Sequence, residues 1–326
     1  MTFDVPIVIL AFNRPETTRV VFEAVRRMAP QTLLLVLDAP REGRPEDIAK
    51  CDEVRRILNS IDWPCRVFTD IATQNMGARR RVSTGLTWAF SNVERAIVLE
   101  DDCVPSVDFF HFCDVLLEQY RDDHRVMHIG GTNLAPRSTR ATSSYVFSRY
   151  ALSWGWATWR RAWRLYDDEL SMWPAVRAAG WLRDYFADDV ASFDKWTHRL
   201  DAVRRNEFDS WASVWMFSCW MQNALSIIPV ENQIENIGLG DPDATHTSGV
   251  RHVGLTRPTA PISFPLQHPE IMVRDAETDR HLAARPLMIK DYSGISGQLR
   301  RLKAMRLRRK DDMALPRPPR EPEQFP

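Results

Sequence analysis

The sequence predicts an α/β protein, a mostly parallel twisted sheet flanked by helices in a Rossmann-like arrangement. Short apolar runs alternate with helix-spaced segments from residue 5 to residue 99, a rhythm that parallel sheets with helical crossovers require. Several of these runs stop at a polar or charged residue, which gathers such residues at one edge of the sheet. Composition agrees with a folded enzyme-sized chain: 326 residues, 44% hydrophobic and 26% charged.

The first run, residues 5–12, is β-branched and apolar and ends in the turn Asn13-Arg14-Pro15. Residues 16–28 follow as a helix, with Val20, Val21, Ala24, Val25 and Met28 at helical spacing. Residues 32–37 form a second strand that ends at Asp38-Ala39-Pro40, and 47–59 a second helix. A third strand at 65–69, a helix over 76–92 and a fourth strand at 95–99 complete the pattern. That fourth strand runs directly into Glu100-Asp101-Asp102. Beyond it, 109–120 reads as a helix and 126–131 as a strand. Residues 150–223 read as helical and tryptophan-rich, and 225–230 as a further strand. After about residue 255 prolines accumulate and the core pattern fades. Residues 1–290 are therefore expected to form one domain in two halves, about 1–130 and about 131–290. Residues 291–326 form a separate tail.

Composition excludes several classes. Formal net charge is zero, which supplies no attraction to nucleic acid. Five cysteines, odd in number and never spaced C-x-x-C, argue against a disulfide framework or structural zinc and fit a reducing compartment. The apolar run at 5–12 is far short of the roughly 20 residues of a membrane span, so a cytoplasmic protein is expected. A glycine-rich dinucleotide fingerprint, a Walker loop, a G-x-S-x-G elbow and an H-E-x-x-H pair are all missing from the sequence.

Glu100-Asp101-Asp102 is the sharpest chemical feature. Three adjacent carboxylates repel one another unless a cation relieves them, and Mg²⁺ or Mn²⁺ bound with a diphosphate would do so. A solvated acidic turn is the plainer alternative. The segment Ala96-Ile97-Val98-Leu99-Glu100-Asp101-Asp102, followed by Pro105 and Asp108-Phe109-Phe110, resembles the Glu-Asp-Asp segment of the N-acetylglucosaminyltransferase I family. Ala11-Phe12-Asn13-Arg14-Pro15-Glu16, and Asn75-x-Gly77 with the basic residues after it, are similar to segments of family 2 glycosyltransferases. The chain to about residue 290 also resembles bacterial proteins of this superfamily, some of them labelled hemolytic-protein-like.

The resemblance implies a glycosyltransferase A fold, a UDP-sugar donor, N-acetylglucosamine as the sugar, and a glycan or lipid-linked acceptor. It implies Asp102 as metal ligand, Asp101 on the donor ribose or sugar, and Glu100 against the nucleotide. It places Asn13, Arg14, Asp38, Asn75 and Gly77 around the base, ribose and phosphates, with Arg79 taken from the run Arg79–Arg81 as the guanidinium facing them. Phe208-Asp209-Ser210-Trp211 is similar to the segment that carries the general base, although Ser210 departs from the family pattern, where an acid stands. Asp209 is also placed to be a helix N-cap. Trp154 and Trp156 suit the floor of an acceptor site or, equally, the core. His246 is a candidate further metal ligand. Single displacement with inversion is the implied course, which fold alone does not fix.

Seven Lys/Arg among Leu299, Leu302, Met305 and Leu307 make residues 299–310 a basic amphipathic segment. It raises the expectation of peripheral contact with the inner face of a membrane. The rival readings are a membrane-acting, hemolysin-like protein and a sugar nucleotidyltransferase. Against the latter, Asn13-Arg14-Pro15-Glu16 stands where that class carries a glycine-rich loop.

Overall fold

The computed structural model describes residues 3–138, 142–240 and 257–284, all within one structural unit. His246, the basic segment 299–310 and the rest of the tail lie outside them. Ile7–Ala11 is β1, Pro15–Met28 α1, Thr32–Leu37 β2, Pro45–Leu58 α2, Arg66–Ile71 β3, Ala78–Asn92 α3 and Arg95–Glu100 β4. Both α1 and α2 begin with proline, whose fixed φ and missing N–H suit a first helical position. Every residue of β1 and β2 is buried, as strands covered on both faces must be, whereas β3 alternates exposed and half-buried positions as an edge strand.

Beyond β4 come β5 (Cys103–Pro105), α4 (Val107–Gln119), β6 (Val126–Gly130), β7 (Tyr145–Ser148) and β8 (Trp156–Trp159). Then follow α5 (Arg160–Trp163), α6 (Trp173–Ala179), α7 (Trp181–Tyr185), α8 (Val190–Arg204) and α9 (Trp211–Met221). The remaining elements are β9 (Leu225–Pro229), β10 (Ile234–Asn236) and α10 (Ala276–Ala283). The main sheet has eight strands in the order β3-β2-β1-β4-β8-β6-β9-β7, and β10 pairs with β5 in a separate two-stranded ribbon. β1, β2, β3 and β4 are mutually parallel. β8 runs antiparallel between β4 and β6, β9 is parallel to β6, and β7 is antiparallel to β9. The fold is thus α/β with a large, mostly parallel sheet flanked by helices, as expected.

The tryptophan-rich stretch corrects the sequence reading. Residues 150–223 are not helical throughout, because Trp156–Trp159 is the strand that joins β4 to β6. Two residues three apart share a face on a helix but take opposite faces of a strand. On one face Trp159 joins the core with Phe109, Phe112 and Leu116 of α4, and its indole N–H donates to the Leu117 carbonyl at 3.0 Å. On the other, Trp156 stacks on His128 and Trp211, with ring centroids 5.1 and 5.7 Å apart. The segment beyond residue 255 also carries structure that the fading pattern hid. α10 is held to β7 by Asp279, which accepts from Ser148 Oγ at 2.6 Å and pairs with Arg149 and Arg274.

His128 sits fully buried in this aromatic layer. Its Nε2–H donates to the Leu152 carbonyl at 3.0 Å and its Nδ1 accepts from Trp215 Nε1–H at 3.2 Å, which fixes the neutral tautomer. Burial pushes its pKa down to about 3. Between pH 6.5 and about 3 the unfolded chain therefore binds a proton that the folded chain refuses. The stability His128 contributes is complete above pH 6.5 and is lost as pH falls toward 3, by at most about 1.4 kcal/mol per pH unit. Urea titrations across this range should show that slope in the wild type and a flatter one in His128→Gln.

Candidate active site at the carboxyl edge of the sheet

β1 lies between β2 and β4, so the chain leaves it toward opposite sides of the sheet. At such a switch point the loops after neighbouring strands diverge and leave a crevice outside their carboxyl ends. The loop after β1 supplies Phe12, Asn13 and Arg14, and β4 ends in the acidic run.

These two segments are bound to each other. The Asp101 N–H donates to the Leu10 carbonyl at 3.0 Å, and the Phe12 N–H donates to Asp101 Oδ2 at 3.2 Å. Arg14 lays its guanidinium across both aspartates, donating from Nη1 to Asp102 Oδ2 at 2.8 Å and from Nη2 to Asp101 Oδ1. Burial works against the Arg14 charge, but Asp101 and Asp102 outweigh it and hold its pKa above the ordinary value. Burial likewise pushes the Asp101 carboxyl up, with Arg14 opposing. Glu100 is half-buried, and burial followed by the Asp102 charge raises its pKa.

The β5–β10 ribbon closes over the far side. The Ile237 N–H donates to the Asp102 carbonyl at 2.9 Å, and Asn236 Oδ1 accepts the Gly238 N–H at 2.9 Å. The Gly238 backbone lies so near the ion pair that a Cβ there would fall 2.7 Å from Asp102 Cβ and 2.8 Å from Arg14 Nη1. Only glycine fits this approach.

A second group lies at the ends of β2 and α3. The Asp38 N–H donates to the Ala11 carbonyl at 3.2 Å, which joins this group to the loop after β1. The Asp38 carboxylate accepts from the backbone N–H of Ala39 (2.9 Å), Met76 (3.0 Å) and Gly77 (3.2 Å), and from Asn75 Nδ2 (3.1 Å). Burial raises its pKa, and these donors oppose the rise. Asn75 Nδ2 also donates to the Ala39 carbonyl at 2.8 Å. Gly77 has φ 75°, a left-handed value that favours glycine, so Asn75-x-Gly77 is a turn that presents the Met76 and Gly77 N–H groups, just ahead of α3, to Asp38.

Asp209 meets the same turn. Ser210, not Asp209, caps α9, accepting the Ser213 N–H at 3.2 Å. The Asp209 carboxylate is exposed, 3.7 Å from where a Cβ on Gly77 would stand, and accepts the Arg79 N–H at 3.5 Å.

Asn13, Arg14, Asp38, Asn75, Gly77, Asp101, Asp102 and Asp209 thus lie on linked loops at one edge, but several are not placed as expected. Asn13 is buried with its amide donating to Asp47 at 2.7 Å, and Asp47 is also gripped by Arg41, so Asn13 shapes the loop from beneath. The Asp101 side chain is 3% exposed with its oxygens engaged, which suits holding Arg14 better than touching a ribose. The Arg79 guanidinium is occupied by Asp168, the Val203 carbonyl and Asn206, and does not face the crevice. Arg81 is buried beneath the strand ends, donating to the carbonyls of Leu37 (3.0 Å) and Asp70 (2.7 Å). Trp156 is 1% exposed and belongs to the core, with no face open to an acceptor. Trp154 is half-buried. Asp47, Arg41, Asn236 and Gly238 were missed, with only the Asn236-x-Gly238 turn signal to mark any of them, and Arg81 was passed over for Arg79 within its run.

Among the described residues no three His, Cys, Asp or Glu side chains converge as a metal-binding group. A dication at Asp102 would therefore depend on phosphate oxygens and water for most of its ligands. No helix among the described residues is long and apolar enough to cross a membrane.

No protein-family model matches the chain, and no curated protein does. Among solved structures it is similar in part to mouse xyloside xylosyltransferase 1 in its apo form, at 11% identity over 67% of this chain and 81% of that one, with a TM-score of 0.35. A structure described as mannose-1-phosphate geranyltransferase from Thermus thermophilus is similar at 12% identity, 73% and 77% coverage and a TM-score of 0.35. HddC from Yersinia pseudotuberculosis is similar at 11% identity, 48% and 77% coverage and a TM-score of 0.30. Scores this low say nothing of activity, which must be read from the site.

Proposed function

We infer that the protein is a glycosyltransferase of the A-fold type that moves a sugar from a UDP-sugar to a glycan or lipid-linked acceptor. The observation that carries the reading is the meeting, at the switch point of a mostly parallel sheet, of an Arg14-bridged aspartate pair and an aspartate-capped Asn-x-Gly turn. A diphosphate brings negative charge and a nucleoside brings hydroxyl groups. The first loop supplies Arg14 for the phosphates, since a planar guanidinium suits paired contacts with phosphate oxygens. The second supplies Asn75 beside the ribose or base, with Asp38 holding its turn from behind. A Mg²⁺ or Mn²⁺ ion held by Asp102, with His246 as a further candidate ligand, would neutralise the diphosphate as it leaves.

Asp209 is the candidate general base. Because Ser210 caps α9, the Asp209 carboxylate remains at the rim beside Gly77, where it can accept the proton of an acceptor hydroxyl as that oxygen attacks the sugar. Inversion in a single displacement follows if that hydroxyl approaches opposite the diphosphate. Trp154 remains the candidate acceptor contact, and N-acetylglucosamine the candidate sugar.

The loop from Phe12 to Arg14 enters α1 directly at Pro15, without a glycine-rich turn for a triphosphate, and this favours sugar transfer over nucleotidyl transfer. The products separate the two. Incubation with UDP-sugars and mixed glycan acceptors should release UDP with Mn²⁺ present. Release of pyrophosphate from a nucleoside triphosphate and a sugar phosphate, without UDP release from any donor, would overturn the assignment.

A further inference from the structure

Arg14 lies against the carboxylate that the donor-site reading gives to a divalent cation. Its Nη1 donates to Asp102 Oδ2 at 2.8 Å while Nη2 holds Asp101, and the three side chains are only 17%, 11% and 3% exposed. The other Asp102 oxygen, Oδ1, accepts from the Cys103 thiol at 3.3 Å. Gly238 lies against both Asp102 and Arg14, so the ribbon turn covers the pair and leaves the guanidinium little room to shift while it stays bonded to Asp102. A dication on Asp102 would stand beside the guanidinium charge, and like charges at such range repel, so each weakens the other's hold on the carboxylate.

We propose that Arg14 is the resident counter-ion of the donor site before nucleotide arrives and competes with the metal for Asp102, so that metal binds well only when a nucleoside diphosphate draws Arg14 away. The proposal rests on the donor-site reading above. The arriving diphosphate offers Arg14 a second pair of anionic oxygens, and the vacated Asp102 oxygen is then open to the ion. Free metal and free nucleotide would each bind weakly, and together they bind cooperatively. By linkage each strengthens the other by the same factor. Asp101, held by Phe12 N–H and Arg14, is the positioning residue that keeps the guanidinium over Asp102 when no donor is bound.

The test is titration of the full chain with Mn²⁺, following free Mn²⁺ by electron paramagnetic resonance, with and without saturating UDP. Without UDP, Arg14→Ala should bind Mn²⁺ at least tenfold more tightly than the wild type. Adding UDP should tighten Mn²⁺ binding at least tenfold in the wild type and by much less in the variant. Arg14→Lys, a point charge that can pair with only one carboxylate at a time, should fall between the two, and it carries the test if the alanine variant fails to fold. Equal or weaker Mn²⁺ binding in both variants, with UDP-dependent binding intact in the wild type, overturns the competition and leaves the donor site standing. Absence of Mn²⁺ binding by the wild type with every nucleoside diphosphate overturns the donor-site reading and this proposal with it.

Discussion

Asp209→Asn lowers kcat by about 10²- to 10⁴-fold, the range a positioned general base supplies. The amide keeps the shape of the carboxylate but cannot take a proton at neutral pH. UDP affinity should stay within about twofold, since an interaction made only in the transition state leaves ground-state binding unchanged. Steady-state kinetics with calorimetric UDP binding separates these quantities. Because Ser210 and not Asp209 caps α9, the variant should also unfold at the wild-type urea concentration. A parallel loss of stability and activity would mean that Asp209 acts through the fold, and the base would have to be sought elsewhere.

Asp38→Ala has the largest expected effect on the site's architecture. It removes the acceptor of three backbone N–H groups and of the Asn75 amide at once. Each donor left unsatisfied in a buried setting costs about 1–3 kcal/mol, and partial access of water to the turn brings the expected total to about 3–5 kcal/mol. Urea unfolding measures that loss. Nucleotide binding should fall with it, because the turn from Asn75 to Gly77 would no longer be held against the end of β2. Asp38→Asn keeps an acceptor and should recover about half of the stability. Were Asp38→Ala as stable as the wild type, the Asn-x-Gly turn would be held by something other than this carboxylate.

The parallel half of the sheet was legible because its signals are local. Residues 32–37 form β2 with unchanged bounds, since a continuous apolar run between Pro30 and Asp38 has few other solutions. β8 was not legible: Trp156–Trp159 carries the spacing of its helical neighbours, and its strand conformation comes from pairing with β4 and β6 on either side. β5 and β10, three residues each, are too short to show a period. The site divided in the same way. The residue types after each strand could be read, and so could their convergence. Their partners could not, because the Arg14 bridge joins positions 87 and 88 residues apart and the Asn13–Asp47 bond joins a turn to the helix after the next strand. Arg79, the arginine chosen from its run, faces α8, while Arg81 lies under the strand ends. Helical rotation decides that, and the length of α3 fixes its phase only after folding.

Calorimetric titration with UDP, in the presence and absence of Mn²⁺, is the most direct measurement of the donor site. It should be run on the wild type and on Asp102→Asn, which keeps the side-chain shape and removes the charge. GDP, CDP and dTDP serve as controls. Mn²⁺-dependent binding of UDP by the wild type, at least tenfold tighter than without the ion and reduced at least tenfold in Asp102→Asn, is the expected result. Wild-type protein that binds none of the four nucleotides, or binds UDP equally well with Asp102 replaced and Mn²⁺ withheld, would contradict it and leave the Arg14-bridged aspartates as a structural ion pair.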